Sequence, residues 1–417
     1  MQRIVPTLRQ PRVAALVPRC TRRPASPCTT PCTTPSRIRC GPRRGVALLI
    51  SLIALLLLAL LSAGMMHLAR GDFSRTRDEG VMRRAANAAD AGAYDVIRRW
   101  PANARQSSPI GAVFGPDTLQ LTGSTAITRT MRTSRSTVWS VSVGSAGDSL
   151  AHTLSRRIVQ VALRLAIPEP AVNAALVVRD SLAVTGSARI VGTDTALAGW
   201  GASCALAAPT AAVAMPDTTR LCDGTCGTGS TTGRIAGLPP LLADSAAADT
   251  ARYRSFGAES WRTLAGHATV VLAAGSVVTP SPSLLSGVCD RLRPDNWGSP
   301  GGTGPCATYA PLIWARGDLE IRGGVGQGVL LVDGDLTLSA GAQFAGVVIA
   351  RDDLLTQGPG GTIFGVVLAE DARVAPGDHT TLGGFSRVQR SHCAVDQALE
   401  WSARLVPVRR RAWAALR

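Results

Sequence analysis

An uncharged run of 25 residues, GVALLISLIALLLLALLSAGMMHLA (residues 45–69), constrains this chain more than any other feature. As a helix rising about 1.5 Å per residue it covers ~37 Å, enough to cross a hydrocarbon core of ~30 Å with some tilt. It is too long for an ordinary secretory signal. Ser62-Ala63-Gly64 is also a poor cleavage site, because the apolar pattern continues through Leu68. The chain therefore reads as one membrane span near its start, with everything else arranged on either side.

The net charge of +16 suggests a nucleic-acid binder until its distribution is considered. Ten arginines and no acids lie in residues 1–44, which leaves +6 for the other 373 residues. No basic stripe with interleaved aromatics and no recognisable module follows, so no nucleic-acid partner is expected. The positive end instead sets topology, since Arg-rich flanks stay cytoplasmic and the chain beyond residue 70 is exported. Every basic residue is Arg and none is Lys. A lysine Schiff base and a Walker-type phosphate loop are thereby excluded.

Four cysteines precede the run and six follow it: Cys204, Cys222, Cys226, Cys289, Cys306 and Cys393. In an oxidising compartment these six are disulfide candidates with fifteen formal connectivities, and Cys222-Asp-Gly-Thr-Cys226 suits a small closed loop better than half a metal site. No metal or other cofactor is expected.

The chain divides by pattern. Residues 1–44 form a low-complexity basic leader, residues 45–69 the membrane helix, and residues 70–101 a helical extension ended by Pro101. In that extension Val81, Ala85, Ala88, Ala89, Gly92 and Val96 form a narrow small-residue stripe, suited to close packing on the chain's own domain or on neighbouring helices. Residues 102–170 alternate as three or four antiparallel strands and end at Pro168-Glu169-Pro170.

An internal repeat follows. Residues 312–390 hold four units of an apolar triplet, an acidic turn, a short strand, a Gly-rich turn and a closing glycine, namely Gly328, Gly346, Gly365 and Gly384. A first copy occupies residues 171–192. A period near ~19 with strands and turn glycines predicts a β-solenoid. Residues 193–311 read as a cysteine-containing insertion whose one helical stretch is 248–266, and residues 391–417 as a helix capping the last rung, with Trp401 and Trp413 as anchors. The fold class expected is thus α+β joined to all-β.

Asp180, Asp318, Asp335 and Asp353 recur at one place in the repeats, with Glu370 and Asp371 at that place in the fourth unit. A carboxylate column suits calcium or a glycan lyase, but Asp also simply favours such turns, and the repeat predicts the latter. His392-Cys393 resembles a dyad, yet adjacent residues of an extended chain point apart. The Gly-rich stretch 298–304 lacks the strand–helix context of a phosphate loop. No catalytic constellation emerges, and no enzyme is expected.

The segment Arg43-Arg44-Gly45-Val46-Ala47-Leu48-Leu49 with its long helix resembles type IV pilins and pseudopilins, most of all PilX-type minor pilins. The stretch from Arg84 to Ala93 is similar to the family's AAEAG-like segment, with Asp90 where Glu is usual. The resemblance spans residues 43–100. It implies cleavage by a prepilin peptidase after Gly45, between the Arg44-Gly45 pair and Val46, which becomes the mature N-terminus. It also implies helix packing through Ile50, Ala85, Ala89 and Gly92, although the family's fifth-residue Glu is replaced by Ile50. Expected partners are other pilin-like subunits, the peptidase and the membrane, with a surface ligand left unidentified. The expected location is the bacterial inner membrane, single-pass with a periplasmic C-terminal domain, and a pilus after assembly. A permanently anchored envelope protein and a tethered β-helix lyase or hydrolase are the rival readings.

Overall fold

A computed structural model describes residues 46–100, 109–148, 153–200, 204–223, 225–226, 232–302, 304–371, 379–408 and 413–416. The leader, with Arg44, Gly45 and Cys20 to Cys40, lies outside these residues. Helix α1, Val46–Arg99, is one uninterrupted element of 54 residues. Ala and Leu dominate it, and Gly64, Gly71 and Gly80 sit in it with open space around them. A helical glycine costs about 1 kcal/mol, too little to break so long an apolar helix. The described residues divide into two units, one ending at Gly71 and the other beginning at Asp72.

Within the second unit, four antiparallel strands follow: β1 (Val113–Leu121), β2 (Ser124–Arg132), β3 (Thr137–Asp148) and β4 (Thr153–Ala166). The C-terminal half of α1 packs on this sheet through its stripe. Val81, Ala85, Ala88, Ala89, Ala93, Val96 and Trp100 are all buried, several against Val138, Val161, Leu163 and Leu165. The approach is close enough to require glycine on both sides. A Cβ on Gly92 would lie 2.5 Å from Ser142 Oγ and 2.7 Å from Thr128 Oγ1, and one on Gly144 would collide with the carbonyl oxygen of Ala85.

The remainder is built mainly from parallel strands. Val325–Val332, Ala342–Ala350 and Gly361–Ala369 pair in register, aligning Gly328, Gly346 and Gly365. At each of these glycines φ is strongly positive, and a Cβ on Gly346 or Gly365 would strike the carbonyl oxygen of the glycine one strand earlier. Gly384 does not join this column. It lies in a turn against Gly186 and Gly358. A second parallel ladder runs through Leu319–Arg322, Leu336–Ser339, Leu354–Thr356 and Thr380–Leu382. Its inward Leu319, Ile321, Leu336, Leu338 and Leu354 meet Ile313, Leu330, Val332, Val348 and Val367 of the first. Strands so covered on both faces read as continuous apolar runs such as VVIA and VVLA, as fully buried parallel strands do.

Stacking order departs from chain order. Ala174–Val178 pairs with the C-terminal half of Gly361–Ala369, so the first copy of the repeat follows the fourth in space. The segment expected as an insertion extends the ladders at both ends. Ala211–Met215 and Leu241–Ala243 continue beyond Ala174–Val178, and Val270–Leu272 with Ser276–Val278 precedes Leu312–Ala315. Its strands escape a periodic reading because they are short and their spacing is broken by turns stapled by cysteines. The stretch expected to be helical is broken too, into α2 (Ala251–Arg254) and α3 (Trp261–Gly266), with an antiparallel pair between them.

The C-terminal segment is not a single capping helix. Helix α4, His392–Ser402, ends early, and Arg404–Pro407 and Trp413–Leu416 then add to β4 as antiparallel strands. Rather than closing one end, α4 lies over several strands. Val395, Ala398 and Leu399 cover Val329, Leu331, Val347, Ile349 and Leu368. Those outward apolar residues need a cover, which an end cap would not supply. Trp401 is buried, edge-on to Tyr309.

Candidate functional site

Among the described residues, nothing covers the first half of α1. Its described large apolar residues from Val46 to Leu68 are exposed, Ile50 at 60% and Leu57 at 55%. Its few hydroxyls are satisfied locally, Ser51 Oγ donating to the Leu48 carbonyl and Ser62 Oγ to that of Leu58. The helix is long and apolar enough to cross a membrane, and a helix bonded in this way carries no unmet hydroxyl into an apolar medium. By contrast, Ala85, Ala89 and Gly92 are covered by their own sheet. Asp90, at the edge of that contact, has its carboxyl pushed up by burial.

The carboxylate column is a backbone device. Asp318 Oδ1 accepts the N–H of Asp335 at 3.0 Å, and Asp335 Oδ1 accepts that of Asp353 at 3.1 Å. Asp353 Oδ1 accepts from Thr380 Oγ1 at 3.2 Å. Each aspartate thus holds the turn of the next strand pair. Asp180 falls one column away, level with Asp352 and Asp371 by the register of Val178 with Ala369 and Ala350, and it pairs with Arg220. An adjacent column alternates in charge. Arg351 lies between Asp333 (3.6 Å) and Glu370 (3.7 Å). Asp333 also accepts both indole N–H groups of Trp261 and Trp314 at 3.0 Å.

The cysteines pair across the fold. Cys289 joins Cys306, and Cys204 joins Cys393 across 189 residues of sequence. Cys222 is also disulfide-bonded, and its backbone faces that of Cys226 across a short antiparallel pair. His392 and Cys393, expected to diverge, converge because they occupy the first turn of a helix rather than an extended chain. His392 Nε2 lies 3.4 Å from Cys393 Sγ, and Nδ1 lies 2.6 Å from Asp194 Oδ2. Asp194 carried no sequence signal. Only the parallel pairing of Arg189–Val191 with Arg387–Gln389 brings it to α4.

A more open hollow of about 570 Å³ lies beside Asn173, Asp244 and Arg252, and a cleft of about 270 Å³ near Ile97, His267, Tyr309, Trp401 and Arg404 is below the ~300–1,000 Å³ common for small-molecule sites. Nothing in it resembles a nucleophile with its base.

No protein-family model matches the chain, and no curated protein matches its sequence. Among solved structures, the crystal structure of the competence-associated pilin ComZ from Thermus thermophilus is similar at 11% identity with a TM-score of 0.22. That match covers 81% of this chain and 97% of the pilin chain, and at so low a score it carries no argument.

Proposed function

We propose that this chain is a non-enzymatic minor pilin-like protein that takes part in assembling a type IV pilus or pseudopilus, or in presenting a domain at its tip or surface. One observation carries the reading: α1, whose first described residue Val46 follows the Arg44-Gly45 pair in sequence, exposes its apolar first half and buries the small-residue face of its second. A helix used for assembly needs that division, with a free apolar half for the bilayer and neighbouring helices and a second half committed to its own domain. The Arg-rich leader orients the span with its C-terminal domain in the periplasm of an inner membrane. The partners are the prepilin peptidase and other pilin-like subunits.

The paired parallel ladders are, on this reading, a β-solenoid that serves as the presented module. Hydrogen-bonded turn aspartates support a scaffold over a glycan lyase, because their oxygens already hold backbone N–H groups. Mass spectrometry of the mature N-terminus tests the proposal. A chain beginning at Val46 supports it; an uncut chain, or a cut elsewhere, sinks it and leaves a permanently anchored envelope protein.

A further inference from the structure

We propose that the Cys204–Cys393 disulfide is a thiol–disulfide exchange site for small thiols, with Cys393 as leaving sulfur and His392 as its proton donor. Three features converge there. Cys393 is the second residue of α4, a helix of 11 residues, and the first-turn N–H groups of a helix favour a thiolate. His392 Nε2 stands 3.4 Å from its Sγ. The ring is held in place, because Asp194 takes Nδ1 at 2.6 Å while also accepting the backbone N–H groups of His392 and Ala207, both at 2.8 Å.

Burial pushes the Asp194 carboxyl up, but those hydrogen bonds and the His392 ring outweigh it and hold the carboxyl below its ordinary value. An ionised Asp194 fixes the proton on Nδ1, so Nε2 faces sulfur as the free nitrogen that takes a proton from the incoming thiol and passes it to the departing one. The half-buried Arg390 guanidinium lies near enough to the same carboxylate for their charges to attract.

The site is also reachable. His392 and Cys393 are half-buried, and Cys204, itself buried, is followed by five exposed residues, 205–209. Cys289–Cys306 provides a contrast within the same molecule. Both of its residues are buried beside Tyr309 and Trp401, and the side chain near its sulfurs is the amide of Asn296. That amide donates hydrogen bonds to the sulfurs but has no ionisable proton to transfer to a leaving thiolate.

In the exchange a thiol RSH gives its proton to His392 Nε2 and attacks Cys204 Sγ as the thiolate RS⁻. The RS–Sγ bond forms, the Cys204–Cys393 bond breaks, and its electron pair leaves on Cys393 Sγ, which takes the Nε2 proton or remains ion-paired with it. A second RS⁻ attacks the mixed disulfide at the RS sulfur, releasing RSSR and the Cys204 thiolate. Two thiols are oxidised and one protein disulfide is reduced. Attack falls on Cys204 because exchange is faster when the better-stabilised thiolate departs.

The test uses the full-length protein in detergent, exposed to reduced glutathione, quenched by alkylation and mapped by mass spectrometry. Cys204–Cys393 should open at least ~10-fold faster than Cys289–Cys306, with the first glutathione adduct on Cys204. His392→Gln and Asp194→Asn should each slow the first reaction about 10-fold and leave the second unchanged. Equal rates in the wild type, an adduct on Cys393, or an unchanged rate in His392→Gln would overturn the proposal. A merely structural histidine gives the opposite sign, since a loosened fold opens both disulfides faster. Should His392→Gln fail to fold, the wild-type ratio and adduct position still decide.

Discussion

The two halves of α1 use apolar residues in opposite ways. From Val46 to Leu68 the side chains are large and exposed; from Val81 to Trp100 the inward ones are mostly alanine, glycine and valine, and buried. Large side chains spread apolar area over a wide circumference, which suits a fluid or variable partner. Small ones bring two backbones so close that only one partner fits, here the sheet of β2 and β3. A small-residue stripe in sequence therefore does not by itself mark a surface between subunits. In this chain it is already occupied.

Breaking the occupied half should have the largest effect. Gly144→Val, which drives a side chain into the Ala85 carbonyl, should destabilise the 72–417 unit by about 3 kcal/mol, as overpacking does. A urea denaturation series checks this, and a smaller loss for Gly92→Ala, whose nearest neighbours are the side chains of Ser142, Thr128 and Ala126 rather than backbone, would sharpen it. In the free half, Leu57→Arg should leave that denaturation midpoint unchanged but weaken membrane insertion by about 3 kcal/mol, read by fractionation. That pair of results separates the two halves cleanly.

Smaller effects probe the parallel ladders. Asp335→Ala removes the acceptor for the Asp353 N–H and should cost about 1 kcal/mol without affecting the turnover of any glycan. Asp244 is held below the ordinary carboxylate range first by its hydrogen bond to Arg252, against burial, with Asn173 and the Ala246 N–H assisting. A depressed carboxyl contributes stability that is complete above its unfolded pKa of about 3.9 and is lost as pH falls through the lower, folded value. Thermal melts between neutral and acid pH should show this loss, and Arg252→Met should flatten it.

What the sequence revealed follows from where periodicity is preserved. The helix and its stripe were legible because apolarity and side-chain size repeat along one continuous element. The repeats from Leu312 onward were legible because Gly328, Gly346 and Gly365 must be glycine at the same point of each strand. Gly384 imitated the spacing while serving a different turn, so spacing alone could not identify the column. The strands of residues 193–311 have only two to five residues each and no such marker. The return of Ala174–Val178 to the Gly361–Ala369 strand is a long-range pairing that no local pattern encodes. The companion pairing of Arg189–Val191 with Arg387–Gln389 assembles Asp194, His392 and the Cys204–Cys393 bridge, which is why the sequence showed His392-Cys393 but not its third member.

The division of α1 is tested most directly by photo-crosslinking in the native envelope, with a photoreactive residue placed at Leu57 or at Ala88. The account predicts that Leu57 captures other pilin-like subunits and lipid, whereas Ala88 links only to its own chain. Capture of a second chain from Ala88, or of no protein from Leu57 during fibre assembly, would contradict it.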